Sequence, residues 1–345
     1  MTQTPPRPSA GSPAPRPVPT SADVARLAGV SRATVSYVLN NTAAVRISEP
    51  TRLRVRQAAE ELGYVPHAAA RSLRAGRTRI VLLPTAPIPV GPLYGHFLNE
   101  LQWALRRLDY TVVQYAGMGL DGDELARAWA ELRPVAVVSF GAVELTPHGV
   151  DVLKRSGARA VITLGQRPVE GALSLAMDQS RVGECAGAHL LERGHRRIGV
   201  VMPEEPGLEF FSGPRLDGVR RAASGTGAEV VPLPLARTEE AAGALAARLS
   251  GSDLDAVFAY NDEYAMLLMR ALLDAGVSVP GDTAVMGADD LLLGRLLRPR
   301  LSTVQIDMET GRHLADLVDR AVADPDTAPE GGDLMAVRAV HREST

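Results

Sequence analysis

Much that would mark an exported, membrane-bound or catalytic protein is missing from this chain. There is one cysteine, Cys185, in 345 residues, which excludes an internal disulfide framework and a cysteine-built zinc site. Cys185 reads as a small apolar residue of an alanine-rich helix. No apolar run approaches the ~20 residues of a membrane span. The N-terminus lacks the charged-then-apolar pattern of a signal segment, so the expected location is cytoplasmic, with no membrane partner. Neither a G-x-S-x-G elbow nor a P-loop occurs.

Other signatures fail on position. Gly117-Met118-Gly119-Leu120-Asp121-Gly122 spells G-x-G-x-x-G, but a dinucleotide fingerprint belongs on the first strand of its unit, with an acid about 20 residues on at a strand end. Here it follows the second strand, and Glu144 falls in a loop or helix start, so no cofactor is expected. His189, Glu192 and His195 resemble a ligand set, yet His195 lies past Gly194 in a turn and the three need not converge; no metal site is expected. The strand ends carry no evident nucleophile and base. No catalytic residue is assigned, and the chain does not read as an enzyme.

Charge is unevenly spread. The net charge is −3, but Arg16 to Arg79 holds eleven Arg against Asp23, Glu49, Glu60 and Glu61, a balance of +7. With Arg7 adding one more positive charge, the chain from Ile80 onward carries −11. A basic end on an acidic body can grip phosphates with that end only. Hydrophobic residues make up 46%, enough for a sizeable core behind it.

The basic end contains D-V-A-R-L-A-G-V-S-R-A-T-V-S-Y-V-L-N-N, Asp23 to Asn41. Thr20 or Ser21 caps a first helix whose apolar face is Val24, Leu27 and Ala28. Gly29 supplies the positive φ that ends it. Ser31 caps a second helix, which buries Val35, Val38 and Leu39 and turns Arg32, Ala33, Ser36, Tyr37 and Asn40 outward. Two short helices meeting at small residues form a helix-turn-helix, and the second has the shape and donors to enter a major groove. Thr42 to Ile47 is a loop. Ser48 caps a third helix with Pro50 in its first turn; Leu53, Ala58 and Leu62 close the core and Gly63 stops the helix. Residues 1–18 read as a disordered Pro/Ala-rich tail, 19–66 as the helix-turn-helix domain, and 67–77 as a linker with helical propensity, too short to be stable alone.

D-V-A-R-L-A-G-V-S-R-A-T-V-S, the E-E-L-G-Y-V-P after the third helix and A-R-S-L-R-A-G-R-T together resemble the lac repressor (LacI/GalR) family of bacterial transcriptional regulators. The resemblance implies a linker that folds as a hinge helix on the operator, its leucine wedged into the minor groove. Leu73 stands at that position, with Ala70 beside it as a second DNA contact. An apolar wedge unstacks a base step and kinks the duplex. The resemblance also puts Arg32, Ala33 and Tyr37 at the base-reading positions; Arg32 can reach guanine O6 and N7 together. Tyr37 departs from the usual arginine or histidine. Ser31, Thr34, Ser36 and Asn40 are expected on phosphates. The plainer alternatives are solvated hydroxyls at Thr34 and Ser36, and a Tyr37 packed on the third helix.

After Thr78 short apolar runs alternate with helical stretches: Ile80 to Leu83, Thr111 to Tyr115, Val135 to Ser139, Ala160 to Leu164, Ile198 to Val201, Val257 to Tyr260 and Thr283 to Gly287 are the expected strands. This alternation predicts parallel sheets, and its length suggests two lobes around a cleft. The resemblance continues over L-L-E-R-G-H-R-R-I-G-V-V, Tyr260-Asn261-Asp262 and Ala288-Asp289-Asp290. It implies an effector-binding and dimerisation domain over 78–343, with one lobe about 78–166 plus 306–330 and the other about 168–304 plus 333–343. Crossings are expected near Arg167 and near Gln305-Ile306-Asp307. The expected fold is therefore a small all-α helix-turn-helix domain plus an α/β periplasmic-binding-protein-like core of two doubly wound parallel-sheet lobes.

Ligands of such sheets bind at the carboxyl ends of the strands. By resemblance, Asn261, Asp289 and Arg215 (in the R-x-x-G of Arg215 to Gly218) contact the effector. Their acceptors and donors suit a sugar or a nucleobase. Alternatively Asn261 caps the next helix, Arg215 pairs structurally and Asp290 is solvated. Pro84 to Pro92 lacks the asparagine-proline-aromatic stretch usual there, and Ala288 stands where an aromatic is frequent. The expected function is a repressor: a homodimer, with a tetramer as the alternative, on a pseudo-palindromic double-stranded operator, governed by a small-molecule effector. Two other classes stay open. A plain small-molecule binding protein would show no salt-dependent DNA affinity; a sugar- or nucleotide-processing enzyme would turn over its substrate.

Overall fold

The structure, a computed structural model, describes residues 18–39, 46–65, 78–85, 91–117, 120, 122–140, 145–325 and 334–345. The expected tail up to Pro17, Asn40, most of the loop before Ile47, the linker with Ala70 and Leu73, part of Pro84 to Pro92, and Met118, Gly119 and Asp121 of the glycine motif lie outside them. The chain divides into two units at Thr78 and Arg79.

The first unit holds three helices, α1 (Ser21–Ala28), α2 (Arg32–Leu39) and α3 (Glu49–Leu62). Thr20 begins α1. The Asp23 carboxylate accepts from the Thr20 N–H at 2.9 Å and from its hydroxyl at 2.7 Å, one half of a capping box. Gly29 at φ 65° closes the helix, and the Val30 N–H reaches back to the Ala25 carbonyl at 3.0 Å. Ser31 caps α2 by accepting the Thr34 N–H at 3.0 Å. The core is Val24, Ala25, Ala28, Val35, Val38, Val55, Ala58 and Ala59. Two expected core residues are not in it: Leu27 is 47% and Leu53 57% exposed. Helices meeting this closely need a small residue inside, and Ala25 takes the place given to Leu27. On α3 the stripe is Val55, Ala58, Ala59 and Leu62, at helical spacing, and Leu53 lies about 200° from Val55 on the wheel.

The second unit contains two sheets. In the first, β1 (Ile80–Thr85), β2 (Thr111–Ala116), β3 (Ala136–Phe140), β4 (Ala160–Gly165) and β5 (Leu173–Ala176) run parallel in the order β2-β1-β3-β4-β5. Helices α4 (Pro92–Arg107), α5 (Gly122–Glu131) and α6 (Pro147–Ser156) connect them. The second sheet comprises β6 (Arg197–Pro203), β7 (Glu229–Leu235), β8 (Ala256–Phe258), β9 (Ala284–Ala288), β10 (Ser302–Met308) and β11 (Met335–Val340), in the order β11-β10-β9-β8-β6-β7. Its helices are α7 (Ser180–Glu192), α8 (Glu209–Ala223), α9 (Glu239–Leu249) and α10 (Asp262–Asp274), while α11 (Gly311–Ala323) packs on α4 and β4 of the first lobe.

Three expectations need correction. β5 keeps the chain in the first sheet, so the first crossing follows Ala176 and not Arg167, and the lobe boundary moves with it. The return leaves β10 at Met308. The second sheet is also not wholly parallel: β11 pairs antiparallel with β10, Met308 opposite Met335. The chain leaves this sheet at one end of β10 for α11 and re-enters at that same end, so its next strand must run backwards. Finally, β7 was hidden by Pro232 and Pro234, which an edge strand tolerates because its outward N–H groups need no partner.

Candidate nucleic-acid interface and candidate effector cleft

On α2 the cap fixes the helix start, and burial of Val35 and Val38 fixes its rotation. Arg32 and Ala33 are then fully on the surface, Tyr37 is 39% exposed, and Thr34 and Ser36 are half-buried. The Ser31 hydroxyl lies 2.9 Å from the Thr34 hydroxyl and accepts the Thr34 N–H. The surface thus offers an arginine, a methyl group and a phenol beside hydroxyls that hold the helix start. Groups of these kinds can meet base edges and phosphates.

The second unit contains a cleft, part of it open to solvent. Arg215, Asn261 and Asp289, which lie far apart in sequence, all line it. Asn261 follows β8 and caps α10, its side-chain oxygen accepting the Tyr264 N–H at 3.1 Å, so capping and cavity lining coexist. Asp289 follows β9 with φ 102°, a conformation rare outside glycine. Loss of hydration pushes its carboxyl up to about 6, opposed by the Arg215 guanidinium, reinforced by Glu263 and opposed again by the Asn261 amide. Arg215, buried on α8, donates from Nε at 3.1 Å and Nη2 at 2.8 Å to the Gln179 Oε1, and from Nη1 at 2.5 Å to the Tyr260 carbonyl. Its guanidinium carbon stands 4.9 Å from the centre of the Tyr260 ring, whose phenol burial pushes up to about 12.

The neighbouring acids do other work. Asp262 is fully buried; it accepts the Thr303 hydroxyl at 2.6 Å and the Leu291 N–H at 2.7 Å, and burial drives its carboxyl up to about 7. It stitches α10 to β10 and is not among the cavity's walls. Asp290 is not solvated, as one alternative had it: its side chain is 7% exposed and ion-paired with Arg295 and Arg342. Of the residues once grouped as metal ligands, His189 meets the Thr345 hydroxyl at 3.1 Å and His195 faces Asp255 at 3.6 Å. Cys185 is half-buried, and burial raises its thiol.

Sequence reasoning missed most of the wall. The first lobe supplies Leu93 and Tyr94, and the chain's passages between lobes supply Met177, Gln179, Met308 and Met335. Arg237 and Glu263, 3.2 Å apart, add an ion pair. None of these carried a signal within its own stretch of sequence, since the strand that precedes Gln179, Leu173–Ala176, was not among those expected.

The lacI family of bacterial regulatory proteins matches residues 20–67, and the periplasmic binding protein-like domain matches residues 188–345. The HTH-type transcriptional regulator GalR of Escherichia coli is 31% identical over 333 residues, covering 93% of this chain and 94% of GalR. Among solved structures, a complex of the transcriptional regulator CelR with cellobiose is 28% identical, with TM-score 0.63, covering 95% of this chain and all of CelR. The lac repressor dimer bound to operator and the anti-inducer ONPF shares the fold at TM-score 0.75 and 22% identity, over 94% of this chain and 98% of that one.

Proposed function

The chain belongs to the lacI family of bacterial regulatory proteins, and we infer from that membership that it is a transcriptional repressor of the cytoplasm whose grip on an operator is set by a small molecule in the cleft. The observation that carries the reading is the meeting of Arg215, Asn261 and Asp289 on one cavity, in a chain that also presents Arg32 on an exposed, capped helix.

In this reading Arg32, Ala33 and Tyr37 read bases, with Ser31, Thr34, Ser36 and Asn40 on the phosphates. A homodimer places two such helices about one turn apart on a pseudo-palindrome. The linker segment with Ala70 and Leu73 is the hinge, coupling lobe angle to DNA through one shared equilibrium. Asp289 and Asn261 hold effector hydroxyls or ring nitrogens; Arg215 offers its two uncommitted N–H groups. The CelR complex contains cellobiose, and a sugar is the first effector class to test. No step of the reading calls for catalysis.

The experiment is selection of bound sites from random duplex DNA by the full chain, followed by a screen of sugars and nucleobases for release. The expected result is a pseudo-palindromic site, a steep salt dependence and release by at least one compound. Protein that ignores duplex DNA at low salt would end the reading.

A further inference from the structure

The side chain that ties the cavity to the passages between the lobes is Gln179. It follows β5 in the first crossing, directly before α7, and is almost wholly buried. Its amide orientation is fixed by chemistry: Arg215 brings two donors to one atom, which must be the oxygen. The nitrogen therefore faces the Met335 sulfur, 3.3 Å away, and donates to it. Met335 opens β11, the strand on which the chain re-enters the second sheet, and its carbonyl accepts from Arg181 of α7 at 3.1 Å. One amide thus joins the first crossing, the re-entering strand and, through Arg215, the Tyr260 carbonyl beside Asn261.

Its bonds are unequal. The Arg215 bonds are charge-assisted, whereas a thioether is among the weakest acceptors in proteins. Gln179 and Met335 both line the cavity. A ligand oxygen arriving there offers the amide N–H a better acceptor than sulfur. Taking it would free the Met335 thioether from the amide, while the bonds from Arg181 to the Met335 carbonyl, from the Leu334 N–H to the Ala176 carbonyl and from Arg215 to the amide oxygen stay in place.

We propose that Gln179 is the positioning residue that couples the cleft to the lobe passages, its N–H passing from the Met335 sulfur to an oxygen of the effector when the cleft fills. This rests on the effector-gated reading above. The exchange breaks one hydrogen bond and forms another, with no change of charge or covalent bonding.

The test uses full-length protein, its selected operator DNA, and D-galactose, D-ribose and cellobiose as probes. Met335→Leu keeps the bulk and removes the acceptor; Gln179→Leu removes the donor and the Arg215 partner. In Met335→Leu the sugar-induced change in operator affinity should fall about fivefold or more, a larger factor than any change in its affinity for the active sugar. Gln179→Leu should lose both sugar affinity and coupling. A purely structural role would lower stability in both variants and leave the coupling ratio unmoved; that outcome, with both variants folded by circular dichroism, overturns the proposal alone. If none of the three sugars alters operator binding by the unaltered chain, the proposal in its sugar form falls. The wider effector reading is then judged by whether other compounds in the screen release DNA. Loss of folding in Gln179→Leu leaves Met335→Leu, whose unchanged coupling would suffice to reject the exchange.

Discussion

The two units place their working groups in opposite ways. On α2, Arg32 and Ala33 stand in water with no partner among the described residues holding them, and eight small buried side chains form the core of the unit. In the cleft, Arg215 is buried and already bonded to Gln179 and Tyr260, and Asp289 sits dehydrated at a backbone angle few residues adopt. The difference follows from what each must meet. A DNA groove supplies its own charge and hydration, so a reader need only be rigidly aimed. A small molecule supplies little binding energy, so its site must be ordered in advance.

The largest way to break this contrast is to part α7 from α8, the helix that carries Arg215. A Cβ on Gly183 of α7 would lie 1.7 Å from the Arg215 carbonyl oxygen, and one on Gly218 of α8 2.0 Å from that of Ser180. These are backbone atoms and cannot turn aside. Gly183→Val should cost more than about 3 kcal/mol in the thermal unfolding of the second unit and abolish effector response, while low-salt DNA binding persists. Gly213, on the same helix as Gly218, has nothing within 4 Å; Gly213→Ala should be neutral or slightly stabilising. Equal melting of the two variants would show that the helices can part freely.

The matching change on the other unit is Arg32→Ala. With no partner among the described residues to lose, stability should hold, and about 1–3 kcal/mol of base discrimination should vanish at one symmetric pair of operator positions. Selected-site profiles check this. An unchanged profile removes Arg32 from the readers.

Protonation separates the units further. Burial lifts Asp289 to about 6, so as pH falls through that value the folded carboxylate takes a proton and loses the charge that makes it a strong acceptor for a ligand hydroxyl. Effector affinity should drop by up to about tenfold per pH unit below 6, and Asp289→Asn should flatten the profile at low affinity. The raised carboxyls of Asp289 and Asp262 also mean that the folded core binds more protons than the unfolded chain. Its stability without ligand should therefore decline as pH rises from about 4 to 7. Thermal melts across that window check the sign.

How much was legible in advance follows the same division. Caps, the positive-φ Gly29 and the Val35–Val38 face are local features, and each is readable within a few residues. The error at Leu27 arose where a neighbouring helix chose the inward face, whereas Leu53 falls off the stripe that its own helix's periodicity sets through Val55, Ala58 and Ala59. In the second unit the alternation of strand and helix predicted two parallel sheets. The reversal of β11 could not be read, because it depends on where the chain goes between β10 and β11. Asn261, Asp289 and Arg215 were singled out by resemblance. Gln179 and the methionines of the passages were not, because their importance arises from three segments brought together across 156 residues of chain between Gln179 and Met335.

The smallest expected effect concerns the cap that starts α1. Hydrogen bonds from the Thr20 side chain and backbone, then from Arg26, hold the Asp23 carboxyl below its usual range. A depressed carboxyl stabilises the fold above its unfolded pKa and ceases to do so as pH falls through its folded one. Thr20→Ala removes the hydroxyl and leaves the N–H contact, so α1 should open about fivefold more often, read as faster amide exchange at Val24 and Ala25. The effect should shrink in acid, where the protonated carboxyl no longer draws in either Thr20 donor. The cleft behaves in the opposite sense, since there acid relieves a dehydrated charge. Exchange at α1 that is indifferent to both Thr20→Ala and pH would mean that packing against α3, and not the cap, sets where the reading head begins.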